Sequence, residues 1–319
     1  MPAISVIVPL YNKAAYTDRC LDAILGQSFT DFELIVVNDG STDGSEKLVE
    51  QRRDSRLRLV SQMNAGPGAA RNHGATLATS MLLAFLDGDD AWHPDYLKES
   101  VEKMKSAAEA ASLTWGMKIF PRGESTAGRW KDHDIPEGIF RAQPDCDAGV
   151  IIAMLANMLP SSTVMRKEVF DTLGGYYAKY RCVYSEDAWL YLKLLLRYPA
   201  AFDSRPLTLR YEDASELAVN VKGARPIEPF LVDPEGVTEG CPAAMRPVLR
   251  EVLARRALKT ASVYGYWGES RKSRQLFRRF VSPKDWRLPW FTTGLASCTP
   301  LTGWAGGIAR AAGHRKGGR

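Results

Sequence analysis

MLLAFLDGDD, residues 81–90, runs an apolar segment directly into a group of carboxylates. The apolar part is far shorter than the roughly 18 residues of a membrane span, and it reads as a strand over 81–87 buried on both faces. Working outward, the same kind of run recurs as AISVIVP at 3–9, FELIVVN at 32–38 and RLRLVS at 56–61. Helical stretches separate them at about 14–26, where Leu21, Ile24 and Leu25 form one apolar face, then at 43–52 and 68–79. Strand and helix alternating four times predict βαβ units in an open parallel sheet, with ligands beyond the carboxyl ends of the strands. A helix over about 94–110 and a strand near 113–120 extend the pattern. An irregular stretch from Gly123 to Pro144 follows, then a strand at 159–166 and a helix over 185–197 with Ser185 as its cap.

The strand ends carry the candidate chemistry. In Asp87-Gly88-Asp89-Asp90, residues two apart on an extended chain point the same way, so Asp87 and Asp89 can converge on one cation while Gly88 admits a ligand close to the backbone. Oxygen ligation without histidine suits Mg2+ or Mn2+ rather than zinc. An acidic turn that is merely solvated is the alternative. Pro9-Leu10-Tyr11-Asn12 ends the first strand and presents backbone groups and a ring. In NDGSTD at 38–43, Gly40 permits a tight turn and Ser41, Thr42 or Asp43 can cap the next helix. Asp39 precedes the glycine and is free either to serve the turn or to accept a base N–H. The loop NAGPGAARN at 64–72 opens a helix whose N-terminus attracts phosphate. Arg71 stands where the third glycine of a dinucleotide fingerprint would fall, and the loop follows the wrong strand for one. No GxxxxGK[ST] occurs, which excludes a P-loop kinase. Ser185-Glu186-Asp187 begins an apolar helix, where acids are also stabilised by the macrodipole alone.

Composition bounds the rest. Five scattered cysteines without CxxC spacing suggest neither a disulfide framework nor a zinc site, and reduced thiols fit the cytoplasm. The net charge of +5 conceals a division: residues 246–319 hold 16 Lys and Arg against three acids, a net of +13, leaving −8 on residues 1–245. Such a basic region could meet anionic lipid, nucleic acid or an anionic substrate.

Together VIVPLYN (6–12), NDGSTD (38–43), NAGPGAARN (64–72), DGDD (87–90), GGY (174–176) and SED (185–187) resemble, in order and spacing, glycosyltransferase family 2 over roughly residues 4–210. The resemblance implies a GT-A fold, that is an α/β Rossmann-like, mostly parallel sheet flanked by helices, with inverting transfer from a nucleotide-sugar, by default a UDP-sugar. Carried over, Asp39 contacts the base, Arg71 lies near the diphosphate, Asp87 holds the ribose and metal region, Asp89 ligates Mn2+ or Mg2+, and Asp187 is the catalytic base. Pro9, Leu10, Tyr11, Asn64 and Gly88 complete the donor-binding set. The acceptor is expected to be a saccharide or lipid-linked saccharide, with no nucleic acid partner.

The QxxRW motif of processive synthases is absent, so one sugar or a few are expected to be added. A nucleotidyltransferase would carry a glycine-rich basic loop after strand one, which PLYNKAAY is not. The remaining alternative is an inactive relative that only binds a nucleotide-sugar or saccharide. The expected organisation is a catalytic domain over 1–215, with a donor half at about 1–110 and an acceptor half at about 111–215. A basic, mainly helical region over 216–319 follows. That region is expected to touch the acceptor or a membrane, its segment 271–319, where Arg271, Lys272, Arg274, Arg278 and Arg279 precede Trp286, Trp290, Phe291 and Trp304, meeting the cytoplasmic face of an anionic membrane. The alternative is that the aromatics pack on the catalytic domain and the charges form a solvated face.

Overall fold

A computed structural model describes residues 1–212, 223–282 and 298–299. The chain falls into two compact units, 1–220 and 221–319.

The first unit is built on one sheet of ten strands: β1 (Ile4–Leu10), β2 (Phe32–Asn38), β3 (Leu57–Ser61), β4 (Leu82–Phe85), β5 (Ala91–Trp92), β6 (Ser112–Phe120), β7 (Glu124–Ser125), β8 (Gly138–Phe140), β9 (Thr163–Arg166) and β10 (Ala200–Tyr211). The order is β3-β2-β1-β4-β9-β6-β10-β5, with β7 on β6 and β8 on β10. The β3-β2-β1-β4 half is parallel, β9 runs antiparallel to β4 and β6, and β6 and β10 are parallel. Helices α1 (Ala14–Leu25), α2 (Ser45–Glu50), α3 (Pro67–Leu77), α4 (Tyr96–Ser106), α5 (Ala127–Asp132), α6 (Ala148–Asn157), α7 (Lys167–Leu173) and α8 (Glu186–Leu195) complete it.

The central parallel strands β1, β2 and β4 are mostly apolar because both faces are covered, while the edge strand β3 keeps Arg58 and Ser61 exposed. Val6, Val8, Leu34, Val36 and Ala84 join Leu21 and Ile24 of α1 and Leu97, Val101 and Met104 of α4 in one buried cluster. On α3, Gly74 brings the helix against β1 so closely that a Cβ there would lie 2.4 Å from Ile7 Cγ2.

The chain winds outward from β1 through β2 to β3 and then returns to β4 on the other side, so the topological switch point lies between β1 and β4. Pairing of β1 with β4 ends at Ile7↔Phe85, while pairing with β2 continues to Leu10↔Asn38. Pro9, which has no N–H to give, therefore sits where β4 has already turned away, and the expected strand end at Pro9 moves one residue on, to Leu10. This divergence opens the crevice in which α/β sheets bind ligands.

In the second unit, α9 (Pro229–Val232), α10 (Pro234–Thr238), α11 (Arg246–Tyr266) and α12 (Ser270–Phe280) are described. Glu228 is buried there between Arg256, at 2.8 Å, and Thr260, at 2.8 Å. Trp286, Trp290, Phe291 and Trp304 lie outside the described residues. Among the described residues no helix is long and apolar enough to cross a membrane.

Candidate active site at the switch point

Each of the four parallel strands delivers a loop to the same rim. The β1 and β2 loops are stitched together: Asp39 N donates to Leu10 O at 2.8 Å, Thr42 N to Asn12 Oδ1 at 2.8 Å, and Ala14 N to Asp43 Oδ2 at 2.8 Å. Asp43 also accepts from Ser45 N at 3.0 Å, although the N-cap position of α2 is Gly44 and not one of Ser41, Thr42 or Asp43. Asp39 is buried and ties β2 to the loop after β3. Its Oδ1 accepts from Ala65 N and Gln62 Nε2, each at 2.8 Å, and its Oδ2 from Gly66 N at 2.9 Å. Three donors occupy a carboxylate with about four lone-pair positions, so Asp39 shapes the loop. Gly66 has φ +93, and a Cβ there would meet Cys182 O at 3.0 Å, so a glycine is required.

Arg71, on the first turns of α3, is the centre of the arrangement. Its Nη2 donates to Asp87 Oδ1 at 2.5 Å and its Nη1 to Glu186 Oε1 at 2.8 Å, and its guanidinium lies 5.2 Å from the centre of the Tyr176 ring. Burial alone would lower its pKa, but the Asp87 and Glu186 carboxylates outweigh that and hold it well above the usual value. Asn72 clamps the backbone of the GGY turn, accepting from Tyr176 N at 2.9 Å and donating to Tyr176 O at 2.8 Å. Arg181 reaches Asn64 Oδ1 at 2.6 Å.

The Asp87–Asp90 turn is fixed from below by Ser161, in the helical turn Pro160–Ser162 ahead of β9. Ser161 Oγ accepts from Asp87 N at 3.2 Å, and its carbonyl accepts from Trp92 Nε1 at 2.6 Å and Thr208 Oγ1 at 3.2 Å. Lys13 Nζ lies 2.9 Å from Asp89 Oδ2, and Arg19 donates to Asp89 O at 2.5 Å. Burial, then the Asp87 charge, raises Asp89, against the pull of Lys13. Asp90 points inward and accepts from Tyr211 N at 3.2 Å; burial and the charges of Asp89 and Asp87 push it up to about 7. Such crowding of carboxylates fits a divalent cation. Among the described residues no group of three His, Cys, Asp or Glu is placed to hold a metal ion by itself.

Asp187, in the first turn of α8, is partly exposed, and its Oδ1 accepts from Ala188 N at 2.8 Å. Burial among its neighbours, then the Glu186 charge, pushes its carboxyl up to about 7, with Arg71 pulling the other way. Ser185 does not cap α8: it is left-handed, φ 59 and ψ 24, and makes no side-chain cap hydrogen bond. The chain enters α8 through a sharp corner, with Tyr180 and Arg181 also at positive φ.

The structure thus brings Pro9, Leu10, Asp87, Gly88 and Asp89 to the two sides of the switch point, where a Cβ on Gly88 would lie 3.6 Å from Pro9 O. Asp39 and Asn64 stand on the β2 and β3 loops, and Tyr11 is exposed beyond β1. Lys13, Arg19 and Ser161 are the participants that sequence reasoning passed over, and for Glu186, read as part of the 185–187 motif, the structure adds its partner Arg71.

The chain belongs to glycosyl transferase family 2, whose family model matches residues 5–172, more than half of its length. Its fold is GT-A: the structure of S. aureus TarS in complex with UDP superposes with a TM-score of 0.56 at 18% identity, covering 86% of this chain and 88% of that one. The mannosyltransferase PcManGT of Pyrobaculum calidifontis, in complex with GDP-Man and Mn2+, superposes at 0.56 with 17% identity, covering 94% and 85%. The uncharacterized glycosyltransferase EpsJ of Bacillus subtilis is 41% identical over 92 residues, 28% of this chain and 27% of EpsJ. Matches to this and two further curated relatives span 27–40% of their lengths.

Proposed function

We propose that the protein is an inverting glycosyltransferase that moves a sugar from a nucleotide-sugar, a UDP-sugar by preference, to an acceptor hydroxyl, using Mn2+ or Mg2+. The observation that carries this reading is the bridge Asp87–Arg71–Glu186, which sets the acidic turn after β4 and the start of α8, with Asp187, around one crevice at the switch point. In this reading Pro9, Leu10, Tyr11, Asn64 and Gly88 line the donor, and Asp39 offers its remaining acceptor position to a base N–H. Arg71, already holding Asp87 in place, lies beside the diphosphate. Asp89, next to Asp87, would hold a divalent cation, which would supply Lewis-acid stabilisation of the charge left on the departing nucleoside diphosphate. Asp187 takes the proton of the acceptor hydroxyl as that oxygen attacks; a base that titrates near neutrality is suited to this. Glu186 is a poorer candidate because its carboxylate is committed to Arg71. Inversion needs only this one carboxylate.

We assign catalysis to residues 1–215 and contact with the acceptor, or with an anionic membrane surface, to residues 216–319. A saccharide or lipid-linked saccharide acceptor, in non-processive synthesis of a polysaccharide or oligosaccharide, matches the missing QxxRW motif. Thermal unfolding with a panel of nucleoside diphosphates and Mn2+ tests the donor site. A ligand at 100 times its dissociation constant adds about 2.7 kcal/mol, so UDP with Mn2+ should raise the melting temperature clearly. Asp39→Ala should lose that gain. Absence of stabilisation by any nucleoside diphosphate would contradict the reading.

A further inference from the structure

We propose that Lys13 is a resident counter-ion of Asp89, occupying the carboxylate oxygen that a divalent cation needs, so that the nucleotide-free protein binds that cation weakly. The inference rests on the metal-binding part of the reading above and concerns a residue outside the donor set. Lys13 is the residue just before α1, and its backbone is fixed on both sides. Asn12 accepts from Thr42 N and donates its own N–H to Ser41 Oγ at 3.2 Å, while Ala14 N donates to Asp43. From that anchorage its ammonium reaches Asp89 Oδ2 at 2.9 Å, and the two side chains are only 19% and 13% exposed. The other members of the acidic turn are already matched, Asp87 by Arg71 and Asp90 by Tyr211 N. Lys13 is therefore the charge that balances Asp89 before any ligand arrives. A divalent cation bonds to stripped carboxylate oxygen at about 2.0–2.1 Å, and a like charge cannot remain in contact with the same atom. The four-carbon stem gives the ammonium somewhere to go, and the Tyr16 ring, 5.9 Å from Nζ, lies on its own side of the crevice.

The experiment titrates Mn2+ alone into the full nucleotide-free chain, following free Mn2+ by electron paramagnetic resonance. Lys13→Met keeps the stem and removes the charge; it should bind Mn2+ roughly tenfold more tightly or better, because a competing unit charge in contact is lost. Lys13→Arg should match the wild type, and adding Asp89→Asn to Lys13→Met should erase the gain. Lys13→Gln repeats the test should the methionine variant melt abnormally. The proposal is overturned if neither neutral variant binds Mn2+ more tightly, or if the gain survives Asp89→Asn. No nucleotide enters this titration, so its failure is separable from failure of the transferase reading, which would show as indifference to every nucleoside diphosphate.

Discussion

Asp187 carries the most exacting residue-level expectation. Its carboxyl is raised, so the base form is present above about pH 7 and is lost as pH falls through that value. The pH profile of kcat/KM, which reports the free enzyme, should therefore bend downward near 7 and fall about tenfold per unit below it. Asp187→Asn should lower turnover by roughly 10²- to 10⁴-fold with donor affinity nearly unchanged. A profile level from pH 5.5 to 8 in the wild type, or near-normal turnover in the variant, would move the base elsewhere. Arg71→Met tests the bridge: the buried Glu186 carboxylate and the partly exposed Asp87 carboxylate lose their shared partner, and urea unfolding should show a loss of up to about 3–5 kcal/mol. An unchanged midpoint would mean that the bridge organises nothing. Asp39, Asp87, Asp89 and Asp187 were legible in the sequence because each stands at the end or start of an element whose period is plain. Lys13 was not, and neither was the pairing of Glu186 with Arg71, since the partners lie 76 and 115 residues away and nothing local marks the contacts.

At the scale of elements, α3 is the part whose placement matters most, because it carries Arg71 to the crevice. Its first turn packs against the chain ahead of α8, where a Cβ on Gly68 would come within 2.5 Å of Tyr177 O, a backbone atom that cannot step aside. Gly68→Ala should cost about 1–3 kcal/mol of stability and weaken donor binding as well. Gly44→Ala is the contrast, since Gly44 has φ +84 but open space around it, and should cost about 1–2 kcal/mol with donor binding intact. Equal effects of the two on nucleotide affinity, measured by calorimetry, would remove the special role of the α3 contact. β2 falls on the expected 32–38, and α1 and α3 lie within two residues of expectation, because buried strands and one-faced helices announce themselves by period. The Ser185 cap failed for a tertiary reason: the corner into α8 is set by packing against α3, and a left-handed serine has no geometry left for capping.

At the scale of the whole chain, the basic residues of 246–319 are the proposed contact with an anionic surface. Exposed Arg271 and Arg278 lie on α12, whose buried side chains are Ser273 and Leu276. Each basic residue near an anionic surface contributes about 1 kcal/mol, so flotation with anionic vesicles at low salt should be strong for the wild type and reduced by Arg271→Glu with Arg278→Glu. Flotation equal in both, or absent in both, would remove the membrane contact. The open parallel sheet was readable from alternation and the GT-A fold from the family resemblance, whereas the antiparallel insertion of β9 between β4 and β6 was not, because strand order is a tertiary choice that a linear pattern does not encode. The central claim is transfer chemistry at the switch point, and the most direct measurement is release of nucleoside diphosphate from a panel of nucleotide-sugars with Mn2+, comparing wild type with Asp187→Asn. Metal-dependent release from at least one donor by the wild type, and its loss in the variant, is the predicted result; release from none, or equal release from both proteins, would contradict it.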